Sequence, residues 1–401
     1  MIKHVSTGSI LPWIIRIRTR IRAISNSRSC GKQQTHVALV DLRMAEIFYS
    51  CCGVGRGHAS RVMTVVEHLV SRNHNVTVFT SSEAYNFLMN QVREIVVKEI
   101  PAPVFGYDKK KRVSLLHTSL ANLHLIPNYR TILRGLSNEV ERKRPDLVIA
   151  DFEPFLCRAA RMCHVPVISL DHQHAFVFGD FHDLPIDLKR FCVFTGIFVD
   201  QYVEKNVSVV ASFFQPMLKR SVNWFGGLVT EDVLRAETRQ EDHIVVYIRE
   251  GIEDKVLKVL KGTKEVFRVY NRTHEDLVKS ENFEFKKINR NEFIRDLATC
   301  KAVISTADHQ LLTESLCLQK PVFAIPLPGQ EEQAVNGYFL EKMGYGRTER
   351  IERLTHSHIR NFLNELNSFN RSGHDTFCGN KQIFHLIDRF LETSPVPLSI
   401  R

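Results

Sequence analysis

The chain has 401 residues, 44% apolar and 24% charged, an ordinary globular composition at a length that exceeds one hydrophobic core. No apolar run approaches the ~20 residues of a membrane span, and nine cysteines without a CxxC pair, mostly in apolar contexts like those of Cys192 and Cys317, read as reduced buried thiols. Lys3, Arg16, Arg18, Arg20, Arg22, Arg28, Lys32 and Arg43 face only Asp41 in residues 1–43, so seven of the ten net positive charges lie there and the remainder lacks the basic balance of a nucleic-acid-binding domain.

Within that leader, IIRIRTRIRAI alternates apolar residues with arginines and has no unbroken apolar core of a secretory signal. Residues 1–43 are expected to be a basic leader outside the fold, able to touch an anionic membrane, or an upstream extension of a protein whose own start is Met44. Strands and helices alternate from there. Ile47–Cys52 is apolar and β-prone, and GVGRGHASR (Gly53–Arg61) leads into a helix carrying Val62, Val65, Val66 and Leu69. Further strands are predicted at Asn75–Ser81, Ile95–Glu99, Asp146–Asp151, Val165–Leu170 and Val207–Phe214. Helices fill Glu83–Gln91, Ser114–Glu141 (interrupted at Pro127) and Pro154–Cys163. Such alternation implies βαβ units and a parallel sheet.

Gly226–Asp242 loses periodicity and gains charge, as a linker would. A second series follows: strand His243–Ile248, helix Glu253–Leu260, strands Glu265–Asn271 and Phe283–Lys287, and helix Asn291–Thr299. It continues with strand Ala302–Ser305, a helix from near His309, strand Pro321–Leu327, a helix opened by Glu331, Glu332 and Gln333, and a last helix at about Asn380–Glu392. The expected organisation is a leader (1–43), a first domain (44–230), a linker (231–242), a second domain (243–370) and a terminal helix with its tail (371–401).

Chemistry-bearing residues gather where these strands end, the side on which open α/β sheets bind ligands. Strand, glycine-rich turn and helix form an anion-cradling pattern, with Gly55 and Gly57 allowing close backbone approach. The pattern matches neither nucleotide-binding motif, because no Lys-Ser/Thr follows the glycines and the GxGxxG spacing fails. His58 follows the turn, and an imidazole can take a proton from a hydroxyl; it can equally cap the helix or contact a phosphate. Asp151 and Glu153 end the next strand, as base, as its orienting partner, or as a strand end and helix start. Arg61, His172 and His174 are candidates for acceptor contacts. Histidines at i and i+2 could suggest a metal, but no carboxylate or cysteine stands at ligand spacing, so no metal is expected.

In the second series, Thr306–Gln310 and Gln330–Gln333 close the two strands. Thr306, Ala307, His309, Gln310, Thr313, Gln330 and Glu332 are expected around a donor. A carboxylate one turn into the first helix, Glu314, suits a ribose diol, and Gln333 and Asn336 share a helix face from which they can bracket sugar hydroxyls.

GVGRGHASR, PDLVIADFEP (Pro145–Pro154), VPVISLDHQH (Val165–His174), Thr313-Glu314, KPVFAIP (Lys320–Pro326) and GQEEQAVNG (Gly329–Gly337), in this order and spacing, resemble the GT-B-fold glycosyltransferases. They are similar in particular to a bacterial and archaeal group of largely uncharacterised relatives of the N-acetylglucosaminyltransferase that completes peptidoglycan lipid precursors. The similarity runs from about Glu46 to Gly346. The resemblance implies two Rossmann-like parallel-sheet α/β domains facing a cleft, with the last helix crossing back to the first domain. It further implies a nucleotide-sugar donor on the second domain, an acceptor on the first, and no cofactor or divalent ion, helix dipoles and backbone amides meeting the leaving diphosphate.

One departure stands out. Relatives carry a glycine pair where this chain has Ala307-Asp308, and two unit charges at about 4 Å repel by roughly 1–4 kcal/mol. Asp308 is expected either to turn away as a helix N-cap, to have its charge offset by Arg249, or to mark a degenerate site. The leading expectation is an inverting transferase moving a sugar, as a UDP-sugar, to a lipid-linked or glycan acceptor in the cytoplasm or at the inner membrane face. A nucleotide-sugar 2-epimerase and a non-catalytic nucleotide-sugar-binding protein are the alternatives.

Overall fold

In a computed structural model of the chain, the described residues are 44–393 except 92–94, 105, 107–114, 204, 249–250, 271–281, 288 and 372–373. The leader and Arg249 therefore lie outside the described residues. The first half runs β1 (Glu46–Cys51), α1 (Arg56–Ser71), β2 (Asn75–Thr80), α2 (Ser82–Gln91), β3 (Val96–Glu99), α3 (Leu115–Asn122) and α4 (Leu125–Lys143). It continues with β4 (Leu147–Asp151), α5 (Pro154–Met162), β5 (Val167–Asp171), α6 (Ala175–Phe178), α7 (Ile186–Tyr202), β6 (Val207–Ala211) and β7 (Asn223–Phe225). The second half runs α8 (Glu231–Leu234), β8 (His243–Tyr247), α9 (Glu253–Leu260), β9 (Val266–Tyr270), β10 (Phe283–Lys286), α10 (Arg290–Thr299) and β11 (Ala302–Ser305). Then come α11 (His309–Cys317), β12 (Val322–Ala324), α12 (Glu331–Lys342), β13 (Gly346–Thr348), α13 (His356–Asn364), α14 (His374–Phe377) and α15 (Asn380–Thr393).

The strands form two sheets, ordered β3-β2-β1-β4-β5-β6-β7 and β10-β9-β8-β11-β12-β13. Every pairing in the register is parallel. Helices cover both faces of such sheets, so the central strands are apolar throughout rather than alternating; β4 and β5 are buried at every position. This is the two-sheet architecture the resemblance implies.

Two segments join the halves, and they run side by side. Gly227 pairs with Cys378, and the Asn380 side chain holds the Val229 backbone at both N–H and C=O, at 3.0 and 2.7 Å. A Cβ on Gly379 would lie 2.1 Å from the Gly226 carbonyl oxygen, and one on Gly227 2.6 Å from Thr313 Cγ2, so glycine is required for this approach. Beyond the crossing, α15 packs on the first half. Ile383 and Ile387 join the apolar cluster of Val62, Val66 and Leu69 from α1, the Phe384 and His68 rings stack at 4.1 Å, and Asp388 pairs with His68 and Arg72.

Several elements differ from the sequence reading. The helix expected over Ser114–Glu141 is two helices, broken before Leu125 rather than at Pro127. Pro127 sits in the first turn of α4, where its missing N–H would have had no helical partner anyway. The whole of α7 was unanticipated: apolar residues occupy both its faces, so it shows no clear amphipathic period.

Because Ile387 is fully buried in the other half's core, Ile387→Ala should destabilise the protein by about 2–4 kcal/mol. A urea titration checks this; an unchanged midpoint would mean that α15 merely lies on the surface.

Candidate active site

Both sheets reverse their strand order next to their first strand, between β1 and β4 and between β8 and β11. Ligands collect outside the carboxyl ends of strands at such points. Gly55 follows β1 with φ 80° and ψ 167°, a conformation open essentially to glycine alone, and starts α1 without a side-chain cap. The first amides of α1 are thus left to the cleft. Residues three apart share a helix face, and α1 accordingly turns His58 and Arg61 together toward Asp151 at the end of β4.

Asp151 has no exposed surface, and its carboxylate is fully engaged. Arg61 donates through Nε to Oδ2 and through Nη2 to Oδ1, both at 2.9 Å, and His58 Nδ1 lies 2.9 Å from Oδ1. Burial alone would raise the Asp151 pKa, but the adjacent Arg61 and His58 outweigh it and hold the carboxyl below its usual range. An ionised carboxylate only accepts, so His58 carries its proton on Nδ1. Arg61 Nη2 lies 2.8 Å from the same nitrogen and gives one of its two hydrogens to Asp151 Oδ1. This leaves His58 Nε2 as the nitrogen able to accept from a ligand. Glu153 is placed differently: both its oxygens accept backbone amides at the start of α5, Phe155 N at 2.7 Å and Leu156 N at 2.8 Å. Burial pushes its carboxyl up despite these bonds.

On the second half, Asp308 caps α11 by accepting the Gln310 amide at 3.2 Å. Glu314, one turn further, is 2% exposed and meets Arg290 Nη2 and Gln310 Nε2, each at 3.2 Å. Arg290 also holds Asp232 and Thr230; burial disfavours its charge, but Glu314 and Asp232 more than restore it and its pKa is raised. These groups line a cavity of about 820 Å³ whose other wall is Arg56, Met63, Glu67 and Phe87 of the first half. Arg290 and Asp232 escaped the sequence reading. A cation in the first turn of α10, where the helix dipole disfavours it, was the available signal.

The floor between the halves is a pair of histidines. The rings of His172 and His309 stack at 3.7 Å, both buried. Burial drives the His172 pKa down to about 3, helped by Arg61, and burial with His172 alongside drives His309 well below its ordinary value. His309 Nε2 accepts Phe213 N at 3.4 Å. His174 turns away to Asp171, its Nδ1 at 2.8 Å from Oδ2, in a fully buried pair. Burial would raise Asp171, but His174, its backbone amide and Ser169 hold it at about 2.

The other expected residues fall as follows. Thr306 and Ala307 are buried, and the Ala307 carbonyl accepts Asn336 Nδ2 at 3.1 Å. Gln333 Oε1 accepts Leu327 N at 2.9 Å, and Thr313 Oγ1 donates to His309 O at 2.8 Å. Gln310 also donates to Leu228 O at 3.0 Å. Gln330 precedes α12 without a side-chain cap. Glu332 faces the cleft with its pKa raised, by burial first and with Asp308 adding to it. A Cβ on Gly57 would stand 3.5 Å from Gln310 Cβ, so the two glycine-rich and polar turns meet across the cleft. Among the described residues no three His, Cys, Asp or Glu side chains gather as a metal would require.

The stacked histidines make a pH prediction. Their folded-state pKa values lie below the 6.5 of a free imidazole, so the unfolded chain gains protons first on acidification. Stability present above about pH 6.5 is therefore lost as pH falls toward 3, at roughly 1.4 kcal/mol per pH unit for each ring. Urea titrations at about pH 7 and about pH 5 should show the loss, and His172→Phe should reduce the slope by about one proton. An identical slope in the variant would mean that His172 is charged in the fold.

Comparison with known proteins accords with this geometry. The sequence profile of Glycosyl transferase family 1 matches residues 45–367. An uncharacterised glycosyltransferase of Methanosarcina mazei is 22% identical over 331 residues, covering 75% of this chain and 85% of that one. One from Methanosarcina acetivorans is 22% identical over 336 residues, with the same coverage. Among solved structures, the calicheamicin glycosyltransferase CalG4 superposes with a TM-score of 0.61 at 13% identity, covering 88% and 100% of the two chains. MurG of Acinetobacter baumannii gives 0.58 at 12%, covering 86% and 99%. With two parallel α/β sheets of GT-B type and a profile match over most of its length, the chain belongs to glycosyltransferase family 1.

Proposed function

We propose that this glycosyltransferase works with inversion, moving a sugar from a nucleotide diphosphate, a UDP-sugar in our reading, to a hydroxyl of a lipid-linked or glycan acceptor. The carrying observation is the His58–Asp151 contact of 2.9 Å at the mouth of the cleft. His58 Nε2 takes the proton of the acceptor hydroxyl as its oxygen attacks the anomeric carbon. The bond from that carbon to the diphosphate breaks on the opposite side, and the nucleotide leaves with the electron pair. Asp151 fixes the tautomer and the ring, while Arg61 keeps the buried carboxylate ionised.

The donor sits against the second half. Glu314 accepts from the ribose diol, with Arg290 and Gln310 holding its carboxylate in place. Gln333 and Asn336 each have one side-chain group tied to backbone, Oε1 to Leu327 N and Nδ2 to Ala307 O, and in this reading the sugar lies against them. Asp308 serves as a cap, so the diphosphate is met instead by the uncapped start of α1 with Arg56 and by Arg290, a helix N-terminus and two cations. No metal enters this reading. Gly55, Gly57 and His172 border the acceptor side, and a lipid-linked acceptor would bring the protein into peripheral contact with a membrane. No described helix is long and apolar enough to cross one.

A thermal-shift screen with UDP-, GDP- and TDP-sugars identifies the donor by mass action, and NMR of the product separates a new glycoside of inverted configuration from a C2 epimer. His58→Ala should lower turnover by roughly 10²–10⁴-fold with donor affinity little changed. Glu153→Gln should cost about 1 kcal/mol of stability as a weakened cap, and leave turnover within about tenfold. Loss of turnover in the Glu153 variant alone would transfer the base to that carboxylate. Glu314→Gln should weaken binding of UDP by about ten- to a hundredfold; wild-type affinity would refute the ribose assignment.

A further inference from the structure

Asp308 caps α11, but its charge remains in the cleft. It lines the cavity of about 820 Å³ between the halves, and a Cβ on Gly57 would stand 3.8 Å from its Oδ1. The carboxylate therefore faces the glycine turn that carries His58. Arg56 and Arg290, the cations assigned above to the diphosphate, line the same cavity. An anion beside them weakens their hold on another anion.

A second carboxylate stands near Asp308. Glu332 lies half-buried in the first turn of α12, and Asp308 helps raise its pKa, so the two acids sense each other's charge. Neighbouring Glu331 is paired with Arg350, but among the described residues no cation forms an ion pair with Glu332. His58 and Arg61 act on it from the first half, and both are already committed to Asp151.

The unpartnered side-chain oxygens around Glu332 are acceptors. Gln173, buried two residues beyond β5, reaches Glu332 across the cleft, and its Oε1 has no partner. Asn336 is fully buried one turn after Glu332, on the same face of α12. Its Nδ2 donates to Ala307 O, and its Oδ1 has no partner. A buried oxygen without a donor is costly and calls for a group that supplies one. A sugar hydroxyl supplies one hydrogen and brings acceptor lone pairs of its own. An ammonium brings three donors and no acceptor, and its charge also offsets two carboxylates beside a diphosphate.

We propose that Asp308, Glu332, Gln173 and Asn336 form a subsite for the ammonium group of an amino sugar, so that the donor is a nucleotide diphosphate sugar carrying an unacylated amine. This rests on the reading of α11 and α12 as the donor wall. The charge at Asp308 then has a role: the ammonium lies between it and Glu332, and the cavity's cations meet the diphosphate without a competing anion. Neutral and N-acylated sugars leave the two carboxylates facing each other and bind more weakly.

Titration calorimetry of the full chain tests the subsite, run at about pH 6.5, below the range in which an amine loses its proton. The ligands are UDP, UDP-glucose, UDP-glucosamine, UDP-N-acetylglucosamine and a UDP-sugar with its amine at C4. The better amine should bind about ten- to a hundredfold more tightly than UDP-glucose, as hydrogen bonds to a charged group do. The N-acetyl sugar keeps the nitrogen without the charge and should show no such gain. Asp308→Asn keeps a helix cap, and Glu332→Gln keeps the side-chain shape. Each should cut the preference for the amine by about tenfold, with binding of UDP alone little changed. Equal affinity for amine and hydroxyl sugars, or an N-acetyl sugar bound as tightly as its amine, would overturn the subsite and leave the donor reading intact. So would a preference that both variants retain. If UDP does not bind, the same comparison is made on GDP- and TDP-sugars; if no nucleotide binds, the donor reading and the subsite both fall.

Discussion

A carboxylate with no contact with water must be matched by charge or hydrogen bonds, and the arrangement around Asp151 follows from that requirement. Asp151 ends a strand buried at every position, so solvation cannot stabilise its charge. Arg61 supplies two hydrogen bonds and the opposite charge, and is itself buried. An unpaired ion at either place would cost several kcal/mol. The pair ties α1 to β4, and with it the glycine turn and His58 to a fixed position above the sheet. The one group in this cluster with a free nitrogen toward the cleft is His58.

The same economy of contacts operates between the halves. The two connecting segments approach so closely that Gly226, Gly227 and Gly379 leave no room for a Cβ, and Asn380 closes the pair with two backbone hydrogen bonds. Where the turns face each other, Gly57 stands against Gln310 and the His172 ring against His309. Neutral imidazoles can stack there without the repulsion two cations would bring. The interior between the halves is therefore polar but nearly uncharged at this histidine pair, with ionised groups to either side: Arg61 and Asp151 on one, Arg290, Asp232 and Glu314 on the other.

The alternation of apolar strands with helices, the glycine turn before His58, the acidic strand end at Asp151 and the polar turns at Thr306 and Gln330 were all legible in the sequence. Each depends on local spacing: residues within one strand, one turn or one helix. From these the two parallel sheets and the resemblance to GT-B glycosyltransferases followed. The helix cap at Asp308, one of three alternatives weighed for it, was also visible, because capping is a local property. Helix α7 was not legible, since apolar residues on both faces erase the period that betrays a surface helix.

What tertiary structure alone decided is how side chains distant in sequence share charge. Glu153 holds two backbone amides of its own helix, a local cap, but Asp151 meets Arg61 and His58 from 90 and 93 residues away. Arg290 reaches Glu314, 24 residues further along the chain, only in the folded protein. Phe152, Tyr202 and Phe198 come into successive ring contact because the end of α7 lies against the residue that follows β4. The elements and the residues at their ends follow from short-range sterics and hydrophobic periodicity, which the linear chain already carries. Partner choice among the ionised and aromatic groups depends on distances across the sheet and between the halves, and those exist only once the chain is folded.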